Sequence, residues 1–84
     1  MDYHTYIVKC SDGTFYTGIA IDLNKRIAEH NGEGDLGSKY TRARRPVTLV
    51  YSTAFPDRSS AMKEEFRIKQ LSRAGKEALV AGSE

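Results

Sequence analysis

One cysteine in 84 residues, Cys10, excludes an internal disulfide, and with only His4 and His30 to join it no zinc-binding constellation can be built. Cys10 is expected to be a small buried apolar residue. Long apolar runs are missing as well. The longest, such as Tyr6-Ile7-Val8, are far too short to cross a bilayer, and no charged leader with an apolar segment and cleavage site opens the chain, so the expected setting is the cytoplasm. The length leaves no room for a second lobe, and one domain over residues 1–84 is expected. Common enzyme signatures are absent too. No glycine-rich loop ends in Gly-Lys-Ser/Thr, the stretch Gly32 to Gly37 does not open a helix at dinucleotide spacing, and no Gly-x-Ser-x-Gly elbow occurs. Repeats and low-complexity tracts are lacking. A hydrophobic fraction of 39% with 29% charged residues is that of a folded globular protein, well away from disordered or membrane compositions.

A net charge of +2 does not by itself call for a nucleic-acid partner, but its distribution says more. Residues 37–45, Gly-Ser-Lys-Tyr-Thr-Arg-Ala-Arg-Arg, gather Lys39, Arg42, Arg44 and Arg45 around Tyr40 with no acid among them. Such a patch can hold phosphates while acids elsewhere keep the total near neutral; a solvated loop is the plain alternative.

The chain opens with hairpin chemistry. Tyr3 to Cys10 is rich in aromatic and β-branched residues, Ser11-Asp12-Gly13 supplies a turn, and Thr14 to Ile21 resumes the pattern. A two-residue loop would put Tyr6 opposite Ile19 and the tyrosines Tyr6 and Tyr16 on opposite faces of the sheet. A three-residue loop with a left-handed Gly13 pairs Tyr6 with Gly18 and Tyr16 with Val8, and the two tyrosines then share a face. Asp22 can cap a helix to about Asn31, with Leu23 and Ile27 inward and the heads of Arg26 and His30 at the margin of the buried face. A glycine-rich loop to Ser38, a short helical turn over 38–43 and a third strand, Val47 to Phe55 after Pro46, follow. Pro56-Asp57 and Ser59 start a helix ending near Ser72, and a weaker helix spans Lys76 to Ala81. The expected fold is α+β, a three-stranded and largely antiparallel sheet flanked by helices.

The late helix contains an anomaly. In Ser-Ser-Ala-Met-Lys-Glu-Glu-Phe-Arg-Ile-Lys-Gln-Leu, residues 59–71, a turn of about 100° per residue spreads Ala61, Met62, Phe66, Ile68 and Leu71 over one side. Glu65 falls near the middle of that arc, with Lys63, Arg67 and Gln70 opposite. A carboxylate aimed inward must find a cation, change its protonation, or sit where the packing opens into a cleft. An ion pair with Arg26 or Lys69 is the structural reading; a metal ligand beside a phosphate is the functional one. The other residues able to carry chemistry are few: Tyr6, Tyr16, Arg26, His30 and Tyr40.

Tyr6, then Tyr16-Thr17-Gly18 after a hairpin, then Arg26 and His30 on the next helix, then Glu65 on a late helix, resembles the GIY-YIG nuclease domain over about residues 3–80. The runs Lys-Tyr-Thr-Arg, Arg-Arg-Pro-Val and Ile-Lys-Gln-Leu look most like its small stand-alone bacterial members. His4-Thr5 stands where the name motif has Gly-Ile, and Ile19 follows Gly18 where several relatives carry lysine. The resemblance implies a divalent-metal-dependent endonuclease acting on DNA, or on RNA, in repair or recombination. It implies Mg²⁺ or Mn²⁺ at Glu65, Arg26 stabilising charge on phosphorus, Tyr16 orienting or deprotonating water with Tyr6 nearby, and His30 as a second proton acceptor. On that reading Glu65 covers the sheet face on which both tyrosines stand, and Gly18 is a structural glycine. Lys39, Tyr40, Arg42, Arg44 and Arg45 would contact the nucleic-acid backbone. A protein partner would supply specificity that so short a chain lacks. The alternative is a non-catalytic nucleic-acid-binding or adaptor module with the same fold.

Overall fold

The computed structural model describes residues 2–32 and 38–82; the loop expected over 33–37 lies outside the described residues. Strands β1 (Tyr3–Lys9) and β2 (Phe15–Ala20) pair antiparallel, with Tyr6 opposite Gly18 and Val8 opposite Tyr16. This is the three-residue register. The Cys10 amide donates to the Thr14 carbonyl at 2.8 Å and the Gly13 amide to the Cys10 carbonyl at 2.9 Å. Gly13 has φ +84°, a left-handed conformation that only glycine adopts without steric cost. Asp12 Oδ1 accepts from the Thr14 amide and hydroxyl at 3.0 and 2.6 Å, so the side chain completes the turn. Tyr6 and Tyr16 therefore lie on the same face.

Strand β3 (Thr48–Phe55) pairs antiparallel with the other edge of β1, giving the order β2-β1-β3 with β2 at an edge. Helix α1 (Leu23–His30) is capped by Asp22, whose carboxylate accepts from the Lys25 amide at 3.0 Å. Its Leu23 and Ile27 pack with Tyr16 and Ala20 against a core of Tyr6, Val8, Cys10 and Val47, as the apolar spacing indicated. Burial raises the Cys10 thiol above its ordinary pKa, consistent with a packing role. Short α2 (Lys39–Arg42) is capped by Ser38, α3 (Arg58–Lys69) by Asp57 and α4 (Arg73–Ala81) by Ser72. That last cap starts α4 three residues before Lys76, and the chain between α3 and α4 leaves Leu71 outside either helix. Among the described residues no helix is long and apolar enough to cross a membrane.

Helix α3 lies on the opposite face of the sheet from the tyrosines, which corrects the expectation that it covers them. The Thr5 hydroxyl donates to the Ala61 carbonyl at 2.8 Å, and Thr5 precedes Tyr6 in the strand, so the two side chains point to opposite faces. The small Ala61 lets the helix backbone come within hydrogen-bond reach of the sheet. Contact runs along Ala61 and Ile68, both fully buried, with Glu64 and Glu65 half-buried between them. Met62 and Phe66, expected inward, sit about 100–140° around the helix from Ala61 and are 47% and 68% exposed. The buried stripe of this helix is narrower than the apolar arc, and half of it is acidic.

Candidate active site

Tyr6 reaches the edge of the sheet because residue 18 has no side chain. A Cβ built on Gly18 would lie 2.5 Å from the Tyr6 hydroxyl oxygen and 2.7 Å from Cζ, closer than real side-chain contacts allow. The Tyr6 ring thus crosses edge strand β2 in the gap that Gly18 leaves. Tyr16, from β2 itself, is half-buried beside it. Arg26 comes from α1, stands near enough to Tyr6 for its charge to draw the phenol's pKa down, and pairs with Glu29 at 3.1 Å. Glu65 arrives from the far face on α3, its side chain 25% exposed and its Oε2 3.3 Å from Lys69 Nζ. These four side chains, with Tyr3, Gly18, Arg58 and Met62 among their neighbours, line one cleft of about 390 Å³. Glu65 is therefore partnered with Lys69 and also open to the cleft that holds Arg26.

His30 corrects another expectation. Its ring is not at the margin of the helix face but fully buried, and it is absent from the cleft lining. Nε2 lies 2.7 Å from the Tyr6 hydroxyl and Nδ1 lies 2.8 Å from the Thr41 hydroxyl. The ring packs edge-on against Tyr6 and Tyr16, with centroids 5.8 and 5.2 Å away. The physical reason is that α1 ends at His30 and α2 folds over it, so a residue that would snorkel from an isolated helix is roofed by Thr41. Burial pushes His30 down to about 4, and the nearby charges of Arg26 and Arg45 add to this against the opposing pull of Glu29. Burial raises Tyr6 to about 12, moderated by the Arg26 hydrogen bond and charge. Both groups are thus neutral near pH 7, and Tyr6 is ill suited to be a phenolate base. The Tyr16 hydroxyl, by contrast, has no hydrogen-bond partner among the described residues and adjoins the cleft.

The basic stretch divides in two. Lys39, Tyr40 and Arg42 are exposed on α2, and the Tyr40 ring leans on Tyr16 at a centroid distance of 5.8 Å. Arg44 and Arg45 are instead committed to the fold. The Arg44 guanidinium stacks 4.0 Å over Tyr40, donates to Asp12 Oδ2 at 3.0 Å and to the Tyr40 carbonyl at 2.8 Å, tying α2 to the hairpin turn. Arg45 Nε donates to the His30 carbonyl at 2.7 Å and packs against Gly32, where it caps the end of α1.

Three residues were not singled out from the sequence. Asn31 clamps the start of β3, donating to the Val47 carbonyl at 3.1 Å and accepting its amide at 2.7 Å. Thr41 holds the His30 ring. Arg58 adds a second cation to the cleft, and its spacing of seven from Glu65 was a usable signal, since residues seven apart share a helix face.

Among the described residues no group of three or more histidines, cysteines or acids is placed to hold a metal. Among the described residues Glu65 is the one carboxylate that lines the cleft. That donor set suits a small hard cation that keeps most of its waters and takes a phosphate oxygen from substrate, rather than an ion caged by protein.

The family model for the GIY-YIG catalytic domain matches residues 2–78. A UPF0213 protein of Halobacterium salinarum is 58% identical over 77 residues, which are 92% of this chain and 97% of that protein. The solution NMR structure of a UPF0213 protein from Bacillus halodurans superposes with a TM-score of 0.62 at 44% identity, covering 96% of this chain and 84% of that one. A solution NMR structure of a protein from E. faecalis gives 0.65 at 36% identity, over 98% and 85%.

Proposed function

Because the chain belongs to the GIY-YIG family, a nuclease family, we propose that it is a divalent-metal-dependent endonuclease that hydrolyses phosphodiester bonds in DNA. One observation carries the reading. Tyr6, Tyr16, Arg26 and Glu65 come from four separate elements and meet in a single open cleft. A purely structural ion pair at Glu65 gives no reason for three phenols and two arginines to line the same space.

Glu65 would hold Mg²⁺ or Mn²⁺, which when bound supplies a Lewis acid for a phosphate oxygen. Arg26 places its guanidinium where negative charge grows on the phosphoryl oxygens, and it is fixed in place by Tyr6 on one side and Glu29 on the other. The Tyr16 hydroxyl, without a protein partner among the described residues, orients the attacking water. The hydrogen bond that ties His30 to the cleft runs through the Tyr6 hydroxyl, so a proton would reach the ring by way of that phenol. Lys39, Tyr40 and Arg42 steady the strand along exposed α2. Contacts of this kind position a backbone without reading bases, and a protein partner would add specificity, with repair or recombination as the setting.

The test is digestion of plasmid and branched DNA by the purified chain with Mg²⁺, with EDTA, and with Glu65→Gln. Cleavage that needs the metal and falls at least about a hundredfold in the variant supports the reading. Salt-sensitive binding with no cutting replaces it with the non-catalytic module.

A further inference from the structure

We propose that Thr41 is a positioning residue for this cleft: its hydroxyl sets the tautomer of His30, and thereby the direction in which the Tyr6 hydroxyl points. Three buried groups form one continuous chain, with half-buried Arg26 at its cleft end. Tyr6, with the Arg26 guanidinium beside it, lies 2.7 Å from His30 Nε2, and His30 Nδ1 lies 2.8 Å from Thr41 Oγ1. Thr41 in turn donates its hydroxyl to the Ser38 carbonyl at 3.2 Å.

The two ends of this chain fix its polarity. A guanidinium only donates, so the Tyr6 oxygen accepts at the Arg26 end. A carbonyl only accepts, so with the Thr41 proton on Ser38, whose hydroxyl also lies 3.1 Å from Thr41 Oγ1, the Thr41 oxygen accepts from the other side. His30 Nδ1 is then the protonated nitrogen and Nε2 the bare one, which takes the Tyr6 proton. Every donor in the chain finds an acceptor. In the opposite tautomer the Tyr6 oxygen would receive protons from both Arg26 and His30, and its own proton would have no acceptor among the described residues. A buried donor left unpaired costs about 1–3 kcal/mol, enough to select the first arrangement.

The consequence reaches the cleft. With its proton turned inward to His30, Tyr6 presents only lone pairs at the cleft edge, where they hold the Arg26 guanidinium. With the tautomer reversed, a phenol O–H would point at Arg26 and push the guanidinium off its position. Ser38 serves the same purpose at one remove. Its hydroxyl caps the short helix at Thr41 N, 3.2 Å away, and its carbonyl takes the Thr41 proton. Helix α2 thus presents Lys39, Tyr40 and Arg42 outward and Thr41 inward, all on one rigid turn.

The tautomer follows from hydrogen bonding alone, while its effect on cleavage rests on the function proposed above. The experiment separates the two. Long-range ¹H–¹⁵N NMR of the His30 ring is recorded on the wild-type chain, on Thr41→Val, which keeps the shape and removes the hydroxyl, and on Thr41→Ser, which restores it. The expected result is protonated Nδ1 and bare Nε2 in the wild type and in Thr41→Ser, with a shift toward protonated Nε2 in Thr41→Val. Cleavage is expected to drop about tenfold or more in kcat for Thr41→Val with KM little changed, and to recover in Thr41→Ser. A wild-type ring protonated at Nε2, or a Thr41→Val ring unchanged in tautomer, overturns the proposal whether or not the chain cuts DNA. Absence of cleavage in the wild type, with the tautomers as expected, sinks the nuclease reading and leaves the Thr41 assignment standing.

Discussion

The Tyr6 hydroxyl and the His30 imidazole meet at 2.7 Å in a layer without solvent access, directly beneath the cleft. The pair joins the strand that carries one cleft tyrosine to the helix that carries Arg26. Both partners stay neutral because burial moves the phenol up and the imidazole down.

Stability should report that burial as a pH dependence. Folded His30 sits at about 4 against an ordinary 6.5, so between those values the unfolded chain binds the extra proton. Stability is full above pH 6.5 and falls as the pH drops toward 4, by up to about 3 kcal/mol. The lowered carboxyls of Asp12, Asp57 and Glu64 lose their contributions at more acid pH still. Urea midpoints measured across this range should decline in the wild type and stay nearly level in His30→Gln until the carboxyls titrate.

The two phenols should separate under one substitution. Tyr6→Phe leaves His30 Nε2 buried without a donor and should cost about 1–3 kcal/mol in urea unfolding. Tyr16→Phe removes a hydroxyl that no described residue uses, so stability should change by less than about 0.5 kcal/mol while cleavage falls at least about tenfold. Comparable stability losses in both variants would contradict the placement of the rings.

Gly18→Ala should be unusually damaging for so small a change in a strand. The added methyl meets the hydroxyl end of a fully buried ring that cannot swing away without breaking its bond to His30. A loss of about 1–3 kcal/mol is expected, together with displaced ring resonances for Tyr6 and His30 in NMR spectra. Retained shifts and stability would show that the ring does not cross residue 18.

Much of the frame could be read from the residues. Gly13 decides the hairpin register once a left-handed residue is required, and Asp22 and Asp57 mark helix starts by capping chemistry that is local in sequence. Ser72 caps α4 by the same rule, three residues ahead of the start that the apolar pattern suggests. What escaped depends on close approach between distant elements. The width of the buried stripe on α3 is set by Ala61 resting on Thr5, 56 positions away, and periodicity alone cannot report that contact. Glu65 points inward, but not onto the sheet face that bears the tyrosines. It reaches the tyrosines around edge strand β2, not across a shared face, because Gly18 opens that edge. Arg44 and Arg45 looked like their neighbours Lys39 and Arg42 in a basic run. Their partners, Asp12 and the His30 carbonyl, lie in other elements. His30 was placed by the geometry of one helix, and the residue that buries it belongs to another.

The account stands most directly on where a divalent ion settles. Amide resonances of the isotope-labelled chain, titrated with Mn²⁺ in the presence of a short DNA strand, should broaden first around Glu65, Tyr16 and Arg26, and Glu65→Gln should abolish the effect. Broadening centred elsewhere, or unchanged in that variant, would contradict a metal-dependent site in this cleft.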